Sequence, residues 1–176
     1  MAADRSDAIV IFGASGDLVY KKIFPALQAL VRRGHLPMPV IGVARTKWDL
    51  PQFQARVQDS LAKHGGLDSA AFDQLRPQLR YIAGDYADPD TYARLCEALG
   101  GAERPLYYLA LPPSVFPSVI EGLAKTGCAR DARVVLEKPF GRNLATARLP
   151  HFLPLEAYTN HSYLAASSTK EKPDGR

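Results

Sequence analysis

Six consecutive residues near the amino terminus, Gly13, Ala14, Ser15, Gly16, Asp17 and Leu18, have the types and spacing to hold a phosphate. They follow the apolar run Ile9-Val10-Ile11-Phe12 and lead into a helical pattern beginning Tyr20-Lys21-Lys22-Ile23-Phe24-Pro25. Strand, glycine turn and helix in succession put free backbone N–H groups and the partial positive end of a helix beside glycines, whose missing Cβ lets a pyrophosphate come close. A G-x-x-G alone marks an ordinary tight turn. Its place directly after a first apolar strand is what points to dinucleotide binding. Pro25 within the helical stretch requires either a first-turn position or a kink.

The second apolar run ends in Gly42-Val43-Ala44-Arg45-Thr46-Lys47. A fold that reads an unmodified adenosine ribose usually carries Asp or Glu in this region, about 20 residues after the glycine turn. Arg45 stands there instead. A carboxylate would repel a 2′-phosphate, whereas a guanidinium bonds it bidentately and can stack on adenine. Charge-assisted bonds of roughly 1.5 to 3 kcal/mol imply a preference for NADP over NAD of about 10- to 100-fold. The plainer alternative is an arginine solvated at a strand end.

Positioning these groups is a matter of the elements around them. Five apolar, β-rich runs, at 8–12, 39–44, 79–83, 106–111 and 132–136, alternate with helical patterns at about 21–33, 50–64, 89–99 and 115–125. That alternation predicts an α/β fold of Rossmann-like, doubly wound type: a mainly parallel sheet with helices on both faces. Gly34, Gly65-Gly66, Gly100-Gly101 and Gly127 stand where the left-handed residue after a helix belongs. The character changes after Arg148. Residues 1–148 read as one dinucleotide-binding domain. Residues 149–176, with Pro150, Pro154, Pro173 and a polar end, read as an atypical tail expected to be poorly ordered.

The whole-chain quantities fit. A chain of 176 residues, 47% hydrophobic and 23% charged, has the size and composition of one globular domain with a real core. No apolar run approaches the roughly 20 residues that span a bilayer, and residues 1–7 lack the regions of a signal peptide, so a cytoplasmic protein away from the membrane is expected. Cys96 and Cys128, with no CxxC pattern, read as reduced buried thiols rather than a disulfide or zinc site. No metal is implied. The net charge of +4 arises from scattered basic residues, which does not imply nucleic acid and is consistent with a small anionic ligand.

The motifs in combination are more specific than any one of them. The run Gly13 to Leu18 with Lys22, then Ala44-Arg45, Tyr108-Leu109-Ala110-Leu111-Pro112-Pro113 and Glu137-Lys138-Pro139-Phe140-Gly141 closely resemble the coenzyme domain of the glucose-6-phosphate 1-dehydrogenase family, in order and spacing over about residues 8–147. The resemblance implies that residues 13–18 and Lys22 hold the coenzyme phosphates and that Arg45, assisted by Ser15 and Thr46, contacts the 2′-phosphate. It also implies that Asp85 and Tyr86 touch the coenzyme and that Ala110 and Leu111 lie beside the nicotinamide half. Phe116 replaces a tyrosine of some relatives. Lys138 matches the lysine that reaches both coenzyme and sugar phosphate, and the Lys138-Pro139 bond is cis by the same resemblance.

In the family, a His oriented by an Asp removes the C1 hydroxyl proton of glucose 6-phosphate as hydride passes to NADP. Those groups belong to a second domain, so none of His35, His64, His151 and His161 takes that role by position, and this chain alone is expected not to turn over. His35 and His64 fall at helix ends, in solvated or capping places. Residues 148–156 distantly resemble the family's substrate motif, matching at Arg148, His151, Phe152, Leu153 and Glu156, which makes His151 a weak substrate-binding candidate. The motif's Asp, Gly and Lys are replaced by Pro150, Pro154 and Leu155. Two alternatives remain at this point. One is a non-catalytic NADP-binding or regulatory module that joins a full-length homologue, as a homo- or hetero-oligomer. The other is a short-chain reductase; against it, no Tyr is followed by Lys four positions on, and Val19 stands where such enzymes have a third glycine.

Overall fold

The protein is described from a computed structural model, which covers residues 5–128, 131–136 and 152–154. Its apolar runs pair into a sheet of β1 (Ala8–Phe12), β2 (Val40–Ala44), β3 (Leu79–Ala83), β4 (Pro105–Leu109), β5 (Arg133–Leu136) and β6 (Phe152–Pro154), in the order β3-β2-β1-β4-β5-β6. β1 to β5 are parallel, and β6 runs antiparallel to β5, with Val135 opposite Phe152. All five residues of β2 are buried, as expected of a strand covered on both sides.

The coverage comes from two sets of helices. α1 (Phe24–Arg32), α2 (Leu50–His64) and α3 (Ser69–Leu75) pack Phe24, Leu27, Phe53, Leu61, Phe72 and Leu75 onto one face with Ile11 and Val40. On the other, α4 (Pro89–Leu99) and α5 (Phe116–Thr126) pack Tyr92, Leu95, Val119 and Leu123 against Val10, Phe12, Val43 and Tyr107. Each large side chain so buried contributes about 1.5 to 3 kcal/mol, so the two apolar layers fix the sheet between them. This is the doubly wound arrangement expected from the alternation of runs. Close packing also explains Gly42 in the centre of β2: a Cβ there would lie 2.7 Å from the Phe53 ring.

Helix boundaries follow local chemistry. Asp49 caps α2 through a reciprocal pair, its Oδ1 accepting from the Gln52 N–H at 2.8 Å while Gln52 Oε1 accepts from the Asp49 N–H at 2.9 Å. Asp68 and Asp88 cap α3 and α4. Gly34, Gly66, Gly100 and Gly127 take positive φ after their helices, as the sequence suggested, whereas Gly65 does not. Pro25 is accommodated in the first turn of α1, directly after a π-helical turn at Val19–Ile23 whose wider ladder precedes the missing N–H.

Five features depart from the sequence reading: the π-helical turn at Val19–Ile23, the antiparallel strand β6 inside the expected tail, and the three that follow. α3 and the 3-10 turn after it, Arg76–Gln78, were not foreseen, because seven residues are too few to show a period. β4 ends at Leu109, so Ala110 and Leu111 lie in the turn beyond it. Cys96 and Cys128 are not reduced thiols: they form a disulfide, with Cα atoms 5.6 Å apart. α4 and α5 lie side by side on one face, which closes a 32-residue separation that no spacing pattern advertises.

Candidate coenzyme site

Parallel register brings the chemistry-bearing residues to one edge. Phe12 lies beside both Val43 and Leu109, and Ala44 beside Ala83, so Gly13, Arg45, Gly84-Asp85 and Ala110 leave the sheet together at its carboxyl end. The edge includes the β1/β4 position, where successive crossovers leave in opposite directions and open a crevice.

Gly13 is the centre of the cradle. Its φ is +79°, and a Cβ there would sit 2.3 Å from the Ala110 carbonyl oxygen and 3.0 Å from Leu111 Cδ2. The turn is tied on both sides. Gly13 and Ala14 donate their N–H groups to the Val43 carbonyl at 2.9 and 3.2 Å, Gly16 donates to the Gly13 carbonyl at 2.9 Å, and Ala110 donates to the Phe12 carbonyl at 3.0 Å. Ala110 and Leu111 are therefore brought against the glycine turn, although they lie nearly a hundred residues away in sequence.

Ser15 and Thr46 are joined directly, the Thr46 hydroxyl donating to Ser15 Oγ at 2.9 Å. The Thr46 carbonyl accepts from the Tyr81 hydroxyl at 2.7 Å. Burial pushes the Tyr81 hydroxyl up to about 12, so it remains a donor at any ordinary pH. Its ring stacks on Phe53 at 4.8 Å between centroids, which anchors the end of β2 to α2.

Arg45 lies over the Tyr86 ring, its guanidinium carbon 5.2 Å from the centroid, and its Nε is 3.4 Å from Asp85 Oδ2. The Arg45 side chain is 62% exposed, leaving its terminal nitrogens available to an anion. Tyr86 itself is buried, edge-on to Phe12. Burial raises its pKa, partly offset by the nearby Gly13 N–H and by the Arg45 charge. Asp17 pairs with Lys21 at 3.1 Å in an exposed contact, while Lys22 is exposed and makes no ion pair among the described residues.

Of the residues predicted to serve the site, 13–18, Arg45, Thr46, Asp85, Tyr86, Ala110 and Leu111 thus meet at one edge. Lys138, the Lys138-Pro139 bond and His151 lie outside the described residues. Phe116 is buried in the core on the α4/α5 face. His35 and His64 are exposed at the ends of α1 and α2. Sequence reasoning missed Tyr81 and Gly84, where a Cβ would meet the Thr91 hydroxyl at 2.2 Å. Strand register sets Gly84 beside Arg45, and from its place opposite Gly42 the Tyr81 side chain reaches the Thr46 carbonyl. Among the described residues no cluster of His, Cys, Asp or Glu could hold a metal, and no helix is long and apolar enough to cross a membrane.

Comparison with known proteins agrees with this geometry. Residues 10–151 match the family described as "Glucose-6-phosphate dehydrogenase, NAD binding domain". Glucose-6-phosphate 1-dehydrogenase 1 of Mycobacterium tuberculosis is 42% identical over 142 residues, which is 81% of this chain and 30% of that protein. The Saccharomyces cerevisiae glucose-6-phosphate 1-dehydrogenase is 35% identical, covering 95% of this chain and 37% of its own. The crystal structure of the Mycobacterium avium enzyme superposes with a TM-score of 0.75 at 42% identity, over 87% of this chain and 33% of that one. The chain thus spans about a third of the length of the proteins it matches. A glycine turn at the head of α1, an exposed arginine at the end of β2 and these matches along most of the sequence together place the chain in the glucose-6-phosphate dehydrogenase family, whose NAD-binding domain it carries.

Proposed function

We propose that these residues form the coenzyme half of a glucose-6-phosphate 1-dehydrogenase, which oxidises D-glucose 6-phosphate to 6-phospho-D-glucono-1,5-lactone. The observation that carries the proposal is the meeting, at one sheet edge, of a glycine turn packed too close to Ala110 to admit any Cβ at Gly13 with the exposed guanidinium of Arg45. In this reading the first turn after Gly16, together with Ser15 and Lys22, receives the pyrophosphate. The N–H groups of Gly13, Ala14 and Gly16 are engaged in holding the turn rather than the ligand. Arg45 bonds the 2′-phosphate, with Thr46 and Ser15 beside it. Ala110 and Leu111 line the path toward the nicotinamide, and Lys138 serves coenzyme and sugar phosphate. His151 is a subsidiary candidate on the sugar side. When bound, NADP supplies the hydride acceptor. The protein's part is to bind and orient it.

The test is a calorimetric titration of the chain with NADP and, separately, NAD, repeated on Arg45→Ala. Saturable NADP binding that weakens about 10- to 100-fold in the variant, to the level of NAD, is the expected result. A folded chain that binds neither dinucleotide would overturn the proposal. With glucose 6-phosphate added, the 176 residues are expected to bind NADP without reducing it, because the proton-accepting His and its Asp belong to the family's other domain. NADPH absorbance above the substrate-free rate would refute that second part.

A further inference from the structure

Arg45 faces a carboxylate at the edge where a 2′-phosphate would bind. Asp85 follows β3, next to β2, and its two oxygens have different partners. Oδ1 accepts the Ala87 N–H at 2.8 Å, while Oδ2 stands 3.4 Å from Arg45 Nε. Both side chains are more than half exposed. A fixed anion beside the selecting cation shares its charge and repels a phosphate dianion. The same anion is the kind of group that accepts a hydrogen bond from the free 2′-hydroxyl of NAD.

We propose that Asp85 is a second specificity determinant, one that relaxes the NADP preference set by Arg45 and lets the site accept NAD as well. The inference rests on the coenzyme reading above. Because the Asp85 carboxylate emerges from β3 and not β2, it acts alongside Arg45 rather than replacing it, and the two give a site of mixed selectivity. The carboxylate also holds the guanidinium over Tyr86, so its charge and its positioning effect are separable by substitution.

The experiment is calorimetric titration of Asp85→Asn and Asp85→Glu with NADP and with NAD, next to the parent chain and Arg45→Ala. Asparagine keeps an acceptor for the Ala87 N–H while removing the charge, so the fold is expected to survive, and circular dichroism checks it. The expected result is about 3- to 10-fold tighter NADP binding and about 3- to 10-fold weaker NAD binding in Asp85→Asn, with Asp85→Glu near the parent. An NADP-to-NAD affinity ratio in Asp85→Asn that is unchanged or lower would overturn the inference, even where the parent chain binds NADP through Arg45. If Asp85→Asn fails to fold, Asp85→Ser, which also removes the charge while keeping an oxygen for the Ala87 N–H, takes its place: a raised NADP-to-NAD ratio supports the inference and an unchanged or lower one overturns it. Loss of NADP binding by the parent chain itself would instead strike the coenzyme reading, and this inference with it.

Discussion

A single methyl group at position 13 would meet the Ala110 carbonyl oxygen at 2.3 Å in a backbone conformation that L side chains rarely adopt. Gly13→Ala is therefore expected to cost at least about 2 kcal/mol and to lower the melting temperature, because the clash is with backbone that cannot rotate away. The same variant should lose NADP binding even at temperatures where it remains folded, since the turn must shift away from β4. Thermal melting followed by titration below the transition separates the two effects, and a variant with unchanged melting temperature would contradict the geometry. Residue types at this scale were readable in advance: glycine where the backbone turns sharply, arginine where a carboxylate would repel phosphate. What neither type nor spacing disclosed is partnership. The Thr46-to-Ser15 hydrogen bond, the Tyr81 hydroxyl beneath Thr46 and the Asp85 carboxylate on Arg45 all depend on which strands are neighbours.

Elements with strong periods or caps, such as α2 and α4, were legible to the residue, whereas α3 and the π-helical turn before α1 were not, being too short for periodicity to register. The π turn is fastened by side chains that a pH change can probe. Asp59 of α2 accepts from the Tyr20 hydroxyl at 2.5 Å and from Lys63 at 3.2 Å. The Tyr20 hydrogen bond, then the Lys63 contact, holds the Asp59 carboxyl below the usual aspartate range. A pKa depressed in the folded state stabilises fully above the unfolded value of about 4, and that contribution is lost as pH falls through the folded value. Asp59→Asn should therefore melt lower than the parent at neutral pH, with the difference closing under acid. A gap that stays constant into acid would mean that the charge is not what fastens the turn. On the other face, Gly122 of α5 lies against the Tyr92 ring of α4, and the Cys96–Cys128 disulfide joins α4 to the turn that follows α5. Replacing both cysteines by serine releases a loop closure worth about 3 to 4 kcal/mol in the chain-entropy account. The expected loss is on the order of 10 °C under non-reducing conditions, and parent and variant should converge once a reductant is added.

Across the whole molecule, β1 and β2 form the covered centre of the sheet and the candidate site lies at the carboxyl edge, where four strand ends are tied to one another. The glycine turn hangs from β2 through Val43, β4 is tied to β1 through Ala110, and β3 to β2 through the Gly84 N–H on the Ala44 carbonyl. A dinucleotide laid across that edge would engage the ends of β1, β2, β3 and β4 at once, so binding should stabilise both helical layers together and not one loop alone. Linkage makes the size calculable: at a free NADP concentration 100 times the dissociation constant, about 2.7 kcal/mol is added to the folded state. For a chain of this length that corresponds to a rise of about 5 to 10 °C in melting temperature. The rise should be cooperative, a single transition moved upward, and it should shrink to the NAD value in Arg45→Ala. Scanning calorimetry at several NADP concentrations tests this directly. A second transition that stays put while the first one moves would show that the α4/α5 layer with its disulfide unfolds independently of the coenzyme edge, and that the four strand ends do not act as one binding surface.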